Sequence, residues 1–102
     1  MDKNAFGAVA SKVDGYREEV IRLQTELCRR QALDPTSGGS GEEEKAAFLQ
    51  SYLEKLGLDV ERYDAPDARV PSGRRPNLVT YLPGRQASPR LWIISHTDVV
   101  PP

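Results

Sequence analysis

The stretch that most constrains this chain is an apolar run that leads into a histidine and an aspartate. Residues 91–94, Leu-Trp-Ile-Ile, are large and partly β-branched, which predicts a strand covered on both faces, as in a parallel or mixed sheet. His96 and Asp98 follow two positions apart, so both side chains point to the same side if the strand continues. In α/β proteins, functional groups gather where strands deliver their carboxyl ends. The pattern therefore places a candidate site at His96 and Asp98.

The chemistry that suits a His-x-Asp pair is metal binding. A neutral imidazole is a good zinc ligand through one ring nitrogen. Its other N–H usually needs an acceptor that fixes the tautomer and the ring orientation, and a carboxylate serves well. Asp98 is close enough in sequence to play this role for His96, or to orient a neighbouring ligand. The alternative from residue types alone is a core or loop histidine followed by a turn-forming aspartate.

Residues 95–101, Ser-His-Thr-Asp-Val-Val-Pro, resemble the first metal motif of the M20 metallopeptidase family. This family includes acetylornithine deacetylase, succinyl-diaminopimelate desuccinylase and carboxypeptidase G2. In the family the histidine of this motif ligates one zinc of a two-metal site, and the aspartate is treated as catalytic because it steers the ligand geometry. The resemblance implies a metal-ligand role for His96 and a catalytic role for Asp98. Ser95 stands where the family often has glycine. Weaker similarities to the family lie at residues 52–61 and 75–79.

Two amphipathic helices are expected before the first strand. Apolar residues recur at three- and four-residue steps over about residues 11–32 and 42–56, which is typical of helices with one apolar face. Residues 1–10 are small and mixed, and we expect a frayed lead-in there. Gly57 is well placed to end the second helix.

The loop at residues 34–41 is rich in glycine, but its sequence argues against phosphate binding. It contains no Gly-Lys-Ser/Thr, and three glutamates that would repel a phosphate follow it at once. Ser40 and Glu43 have the spacing of a capping box, and acidic residues suit the first turn of a helix. We therefore expect a structural loop and a capped helix start, and not a catalytic base at residues 42–44.

Three strands are expected in the remaining chain, at about residues 58–63, 77–82 and 91–95. The short linker between the last two favours an antiparallel pair. The arginines of the intervening loop, Arg69, Arg74 and Arg75, are interpreted as solvated. The fold class is α/β. With the resemblance, residues 1–102 are expected to form the N-terminal part of a zinc-peptidase-like catalytic domain, with two helices followed by part of a mixed sheet, incomplete as given.

Composition limits which binding partners and which cellular location are expected. The formal net charge is −1 and there is no basic block, so we expect no nucleic-acid partner. No apolar run reaches transmembrane length and the first residues lack the apolar segment of a signal peptide, so we expect no membrane contact and a cytoplasmic location. Cys28 is the only cysteine, which excludes an intramolecular disulfide and a cysteine-rich zinc site.

Two functions of different classes are consistent with this sequence. The first is part of a zinc-dependent amidohydrolase or peptidase, with cobalt as an alternative metal, that cleaves the amide bond of small N-acyl amino acids or peptides. A two-metal site needs a bridging carboxylate, further ligands and a general base. The family has these after the first motif, so we expect the 102-residue chain alone to be inactive. The resemblance also implies a possible homodimer of the intact enzyme. The second is a non-enzymatic truncated module that associates with another chain through an unpaired strand.

Overall fold

The computed structural model describes residues 2–102, which divide into two compact units, one ending at Arg30 and one beginning at Gln31. The architecture of the described residues is α/β, which confirms the expected class. Its elements in chain order are α1 (Lys3–Asp14), α2 (Arg17–Arg29), a 3₁₀ turn (Pro35–Ser37), α3 (Glu43–Lys55), β1 (Val60–Pro66) and β2 (Arg74–Thr80). None of the described helices has the length and apolar character needed to cross a membrane.

The first unit contains two helices where the sequence predicts one at residues 11–32. Helix α1 begins within the expected lead-in because the Asp2 side chain accepts a hydrogen bond from the backbone N–H two residues on, at 2.9 Å, and so caps the helix. The helix ends at Gly15, a residue type with low helix propensity. The Tyr16 N–H then donates to the Val13 carbonyl at 2.9 Å, a tighter turn that separates α1 from α2.

Helix α3 lies inside the predicted range of 42–56, and it ends in the expected way. Gly57 has a φ of +82°, a left-handed conformation that glycine adopts without strain. Its N–H donates to the Glu54 carbonyl at 2.9 Å, and the Leu58 N–H donates to the Leu53 carbonyl at 3.2 Å. These two bonds form a Schellman motif and satisfy carbonyls at the helix end.

The start of α3 differs from the expected capping box of Ser40 and Glu43. Glu42 is the N-cap residue, and no side chain caps the helix there. The Glu43 carboxylate instead accepts hydrogen bonds from Arg62 at 2.6 Å and from Arg74 at 3.3 Å. Burial raises the pKa of Glu43, but these two arginines outweigh it and leave the pKa below its usual range. Two cations on the sheet therefore attract the carboxylate that the capping box would use.

The sheet is a two-stranded antiparallel hairpin in which Val60 lies opposite Thr80 and Pro66 lies opposite Arg74. Both strands extend further into the connecting loop than predicted for 58–63 and 77–82. Proline is tolerated at these positions because each strand of a two-stranded sheet has a free edge. The loop is closed by a hydrogen bond from the Asp67 N–H to the Gly73 carbonyl at 3.0 Å.

The third predicted strand, 91–95, does not form, and neither does its expected antiparallel pairing with 77–82. A strand needs a neighbour for its N–H and C=O groups, and the described residues supply none along this segment. Its side chains are accordingly exposed, by 87% at Leu91, 85% at Ile93 and 87% at Ile94. A cleft of about 1480 Å³ is lined by this segment together with residues of α3 and β2.

Candidate functional site

His96 and Asp98 form a hydrogen-bonded pair. The Nδ1 atom of His96 lies 3.0 Å from Oδ1 of Asp98 and 3.0 Å from its backbone carbonyl oxygen. Both partners are acceptors, so this geometry assigns the ring proton to Nδ1 and leaves the lone pair on Nε2. The His96 side chain is 83% exposed. The pair therefore presents an accessible nitrogen ligand with a carboxylate behind it, which is the arrangement that suits a metal-binding imidazole.

The backbone after this pair is fixed by the segment before the glycine-rich loop. Leu33 and Val99 form a parallel β-bridge. The Val99 N–H donates to the Ala32 carbonyl at 2.9 Å, and the Asp34 N–H donates to the Val99 carbonyl at 3.3 Å. Ala32 is fully buried. The two bonds anchor the chain one residue beyond Asp98.

The glycine-rich loop packs closely against that anchor. A Cβ atom at Gly39 would lie 1.9 Å from the carbonyl oxygen of Leu33, so no larger residue fits there without moving the backbone. The Gly41 N–H donates to the same carbonyl at 3.2 Å. Gly41 has a φ of +81° and lies against the buried side chain of Val70. The glycines of this loop therefore permit its close approach to Leu33.

Arg75, the second residue of β2, connects three carboxylates. Its Nε donates to Oε2 of Glu42 at 3.1 Å, and its Nη2 contacts the other oxygen of the same carboxylate. Its Nη1 lies 3.1 Å from Oδ2 of Asp34, and its Nη2 lies 3.7 Å from Oδ2 of Asp98. The hydrogen bond with Glu42 is the main cause that raises the pKa of Arg75. This arginine is therefore part of the site, and its interpretation as a solvated loop residue is wrong.

Asp34 has a second set of partners at the start of the loop. Its Oδ1 accepts a hydrogen bond from the hydroxyl of Thr36 and another from the Thr36 N–H at 2.8 Å, which caps the 3₁₀ turn. The hydroxyl bond is the largest cause that lowers the pKa of Asp34, and Arg75 adds to the effect. Asp34 is thereby held as a carboxylate facing Arg75.

Lys45 is a further residue of the site that, like Asp34, Glu42 and Arg75, is not predicted from the sequence. It lies in α3 one turn after Glu42, so both residues are on the same face of the helix. Only 8% of Lys45 is exposed, and its Nζ donates to the carbonyl oxygen of Thr97 at 3.2 Å. Thr97 is the residue between His96 and Asp98. Because lysine is rarely buried, a lysine in a helix is expected to be exposed. No pattern in the sequence around Ala46 and Leu49 reveals the contact of Lys45 with Thr97.

The residues of this site fit one ligand of a metal centre. Among residues 2–102 there is no group of three or more His, Cys, Asp and Glu side chains placed to hold an ion. Asp34 and Glu42 are engaged by Arg75, and Asp98 faces both His96 and Arg75. Nε2 of His96 is a donor atom of the type that zinc prefers. This part of the chain can thus supply one imidazole ligand and the carboxylate that orients it.

Comparison with known proteins gives hydrolases as relatives. No family model matches the chain, and no solved structure matches it. It is 36% identical to an uncharacterized metallohydrolase of Methanocaldococcus jannaschii over 82% of this chain and 22% of that protein. It is 33% identical to a probable carboxypeptidase of Aspergillus terreus, over 96% of this chain and 23% of that protein. A probable carboxypeptidase of Arthroderma benhamiae is 36% identical over 100% of this chain and 22% of its own length. The chain is therefore similar to proteins named as metallohydrolases and carboxypeptidases, and it spans about a fifth of their length.

Proposed function

We propose that this chain is part of a metal-dependent hydrolase of the M20 type, which cleaves an amide bond in small N-acyl amino acids or peptides. The observation that carries the proposal is the His96–Asp98 pair, in which Nδ1 is hydrogen-bonded to a carboxylate and the side chain of His96 is exposed. Relatives named as metallohydrolase and probable carboxypeptidase support the same reaction class. The proposed reaction includes deacylase, desuccinylase and carboxypeptidase activities. The proposed location of the protein is the cytoplasm.

In this proposal His96 is a metal ligand and Asp98 holds it in place. Zinc, when bound, polarises the scissile carbonyl and lowers the pKa of a bound water. Nε2 of His96 would hold the ion, while Asp98 would keep the proton on Nδ1 and fix the plane of the ring. The bridging carboxylate, the remaining ligands and the general base of a two-metal site come from residues outside the described ones.

The proposal is tested first with the purified 102-residue chain. We expect no hydrolysis of N-acetyl amino acids, N-succinyl amino acids or short peptides with zinc or cobalt added, because one imidazole cannot build a two-metal site. Turnover by the pure chain would contradict this expectation.

The second test uses the protein as its source cell makes it. If its intact mass is several times that of this chain, the His96→Ala variant is expected to lose hydrolysis of N-acyl amino acids. The Arg85→Gln variant, which changes an exposed residue with no hydrogen bond or ion pair to His96 or Asp98, is the control and should keep this activity. Full activity of His96→Ala would overturn the proposed function.

A second candidate function, a module that associates with another chain, is favoured by the exposed segment at 91–94. Four large apolar side chains follow one another there, and their backbone has no strand partner among the described residues. Unpaired, apolar, extended segments add to the sheets of other chains. Sedimentation that depends on concentration and is abolished by Ile93→Asp would support association. A monodisperse monomer at all concentrations would contradict it.

A further inference from the structure

The ring of His96 is not held by packing. Its side chain is 83% exposed, so its orientation must come from the chain segment that carries it. The three residues that follow each contact a different part of the chain. Thr97 accepts a hydrogen bond from Lys45 of α3, Asp98 faces Arg75 of β2, and Val99 forms the bridge with Leu33.

One of the two side chains that make these contacts, Arg75, is itself held by Glu42. Glu42 is only 4% exposed and holds the guanidinium of Arg75 through both carboxylate oxygens, a bidentate pairing that fixes the plane of the guanidinium. It also lies one turn before Lys45 on the same face of α3. The start of α3 thus bears both Lys45 and the carboxylate that holds Arg75.

The two contacts act on different parts of the pair. Lys45 binds the carbonyl of the peptide that joins Thr97 to Asp98 and so sets where the Asp98 backbone lies. Arg75 attracts Oδ2 of Asp98 across 3.7 Å, which is a charge attraction and too long for a hydrogen bond. That attraction turns the other oxygen, Oδ1, toward Nδ1 of His96 at 3.0 Å.

We propose that Lys45 and Arg75 are positioning residues, which together hold Asp98 so that His96 keeps its proton on Nδ1 and presents Nε2. The effect on metal binding rests on the proposed function, whereas the effect on the His96 tautomer does not.

The test is ¹⁵N NMR of the full chain, in which His96 is the only histidine and its ring nitrogens are therefore unambiguous. We expect the Nδ1–H tautomer to dominate in the unsubstituted chain. Lys45→Met and Arg75→Gln should shift the population toward Nε2–H, and each should weaken zinc binding by about ten-fold or more, as is usual when the group that orients a ligand is lost. The matched controls are Lys55→Met, at the exposed end of α3, and Arg74→Gln, which neighbours Arg75 but pairs with Glu43 and Asp64.

One conservative variant separates positioning from a merely structural role. Lys45→Arg keeps the charge and a donor, so we expect it to retain most of the Nδ1–H population. Arg75→Lys keeps the charge but loses the bidentate pairing with Glu42, so we expect it to retain that population only in part. The amide spectrum of α3, β1 and β2 shows which variants are folded, and Lys45→Met provides the test if Arg75→Gln unfolds.

The outcomes distinguish this inference from the proposed function. A shift of tautomer in the variants but not in the controls supports the positioning role, even if the unsubstituted chain fails to bind zinc and the proposed function falls. Folded variants that keep both the tautomer and the zinc affinity of the unsubstituted chain overturn the positioning role, and leave the proposed function standing.

Discussion

Removal of the Glu42 carboxylate is expected to destabilise the second unit by about 2 kcal/mol. The carboxylate is almost fully buried and makes two charge-assisted hydrogen bonds to Arg75. Such bonds contribute about 1.5–3 kcal/mol each, so the gross loss is about 3–6 kcal/mol. The net loss is smaller because Arg75 is 25% exposed and keeps Asp34 and Asp98 as partners, so water and two carboxylates compensate the guanidinium.

The assay is urea unfolding of Glu42→Ala, Arg75→Ala and the double variant, followed by circular dichroism. A double-mutant cycle should give a coupling free energy of about 1–3 kcal/mol between the two residues. Glu44→Ala is the matched control, because Glu44 shares the first turn of α3 but is exposed. Its effect should stay within about 0.5 kcal/mol. The reasoning is refuted if Glu42→Ala costs no more than Glu44→Ala, or if the coupling is zero.

Two further predictions concern the glycine-rich loop and the response to acid. Gly39→Ala should displace Leu33 and abolish the hydrogen-exchange protection of the Val99 amide. The control is Gly84→Ala, which should preserve this protection because an added Cβ would lie 3.7 Å from its nearest atom. Equal protection in the two variants would contradict the close packing at Gly39. The pKa values of Asp34 and Glu43 in the folded chain lie below their ordinary values of 3.8 and 4.5. Their ion pairs therefore stabilise the fold fully at a pH above the ordinary values, and this stability is lost as the pH falls through the lowered pKa values of the folded chain. The urea concentration at the midpoint of unfolding should therefore decrease as the pH is lowered from about 5 to about 3. A constant midpoint concentration over that range would contradict this account.

The elements with local causes could be predicted from the sequence. Helix α3 follows from its apolar periodicity, and its end follows from Gly57, because only glycine readily adopts the left-handed conformation required there. The break at Gly15 and the cap at Asp2 also have local causes, a poor helix former and a side-chain oxygen. The division into α1 and α2 is therefore predictable from the local sequence.

The features that depend on distant residues could not be predicted in this way. The capping box at Glu43 fails because Arg62 and Arg74, from two strands, bind its carboxylate instead. The strand at 91–95 has the right residue types, but strand formation also needs a partner, which local sequence cannot show.

The candidate site also contains both local contacts, which could be predicted, and contacts between distant residues, which could not. The His96–Asp98 pair comes from residues two positions apart, so its geometry is local and its position could be predicted. The contacts of Lys45 with Thr97 and of Arg75 with Glu42 join residues that are 52 and 33 positions apart. Neither contact leaves a periodic pattern in the sequence, and only the folded chain brings these residues together.

Zinc titration of the ¹⁵N-labelled chain tests the central claim most directly. His96 is the only histidine, so the resonance of its Nε2 reports binding at that atom alone. We expect zinc to shift Nε2 while Nδ1 keeps its proton, and we expect Asp98→Ala to weaken this binding by about ten-fold or more. An unchanged Nε2 resonance at millimolar zinc, or binding through Nδ1, would contradict a metal-ligand role for His96 with Asp98 as its orienting partner.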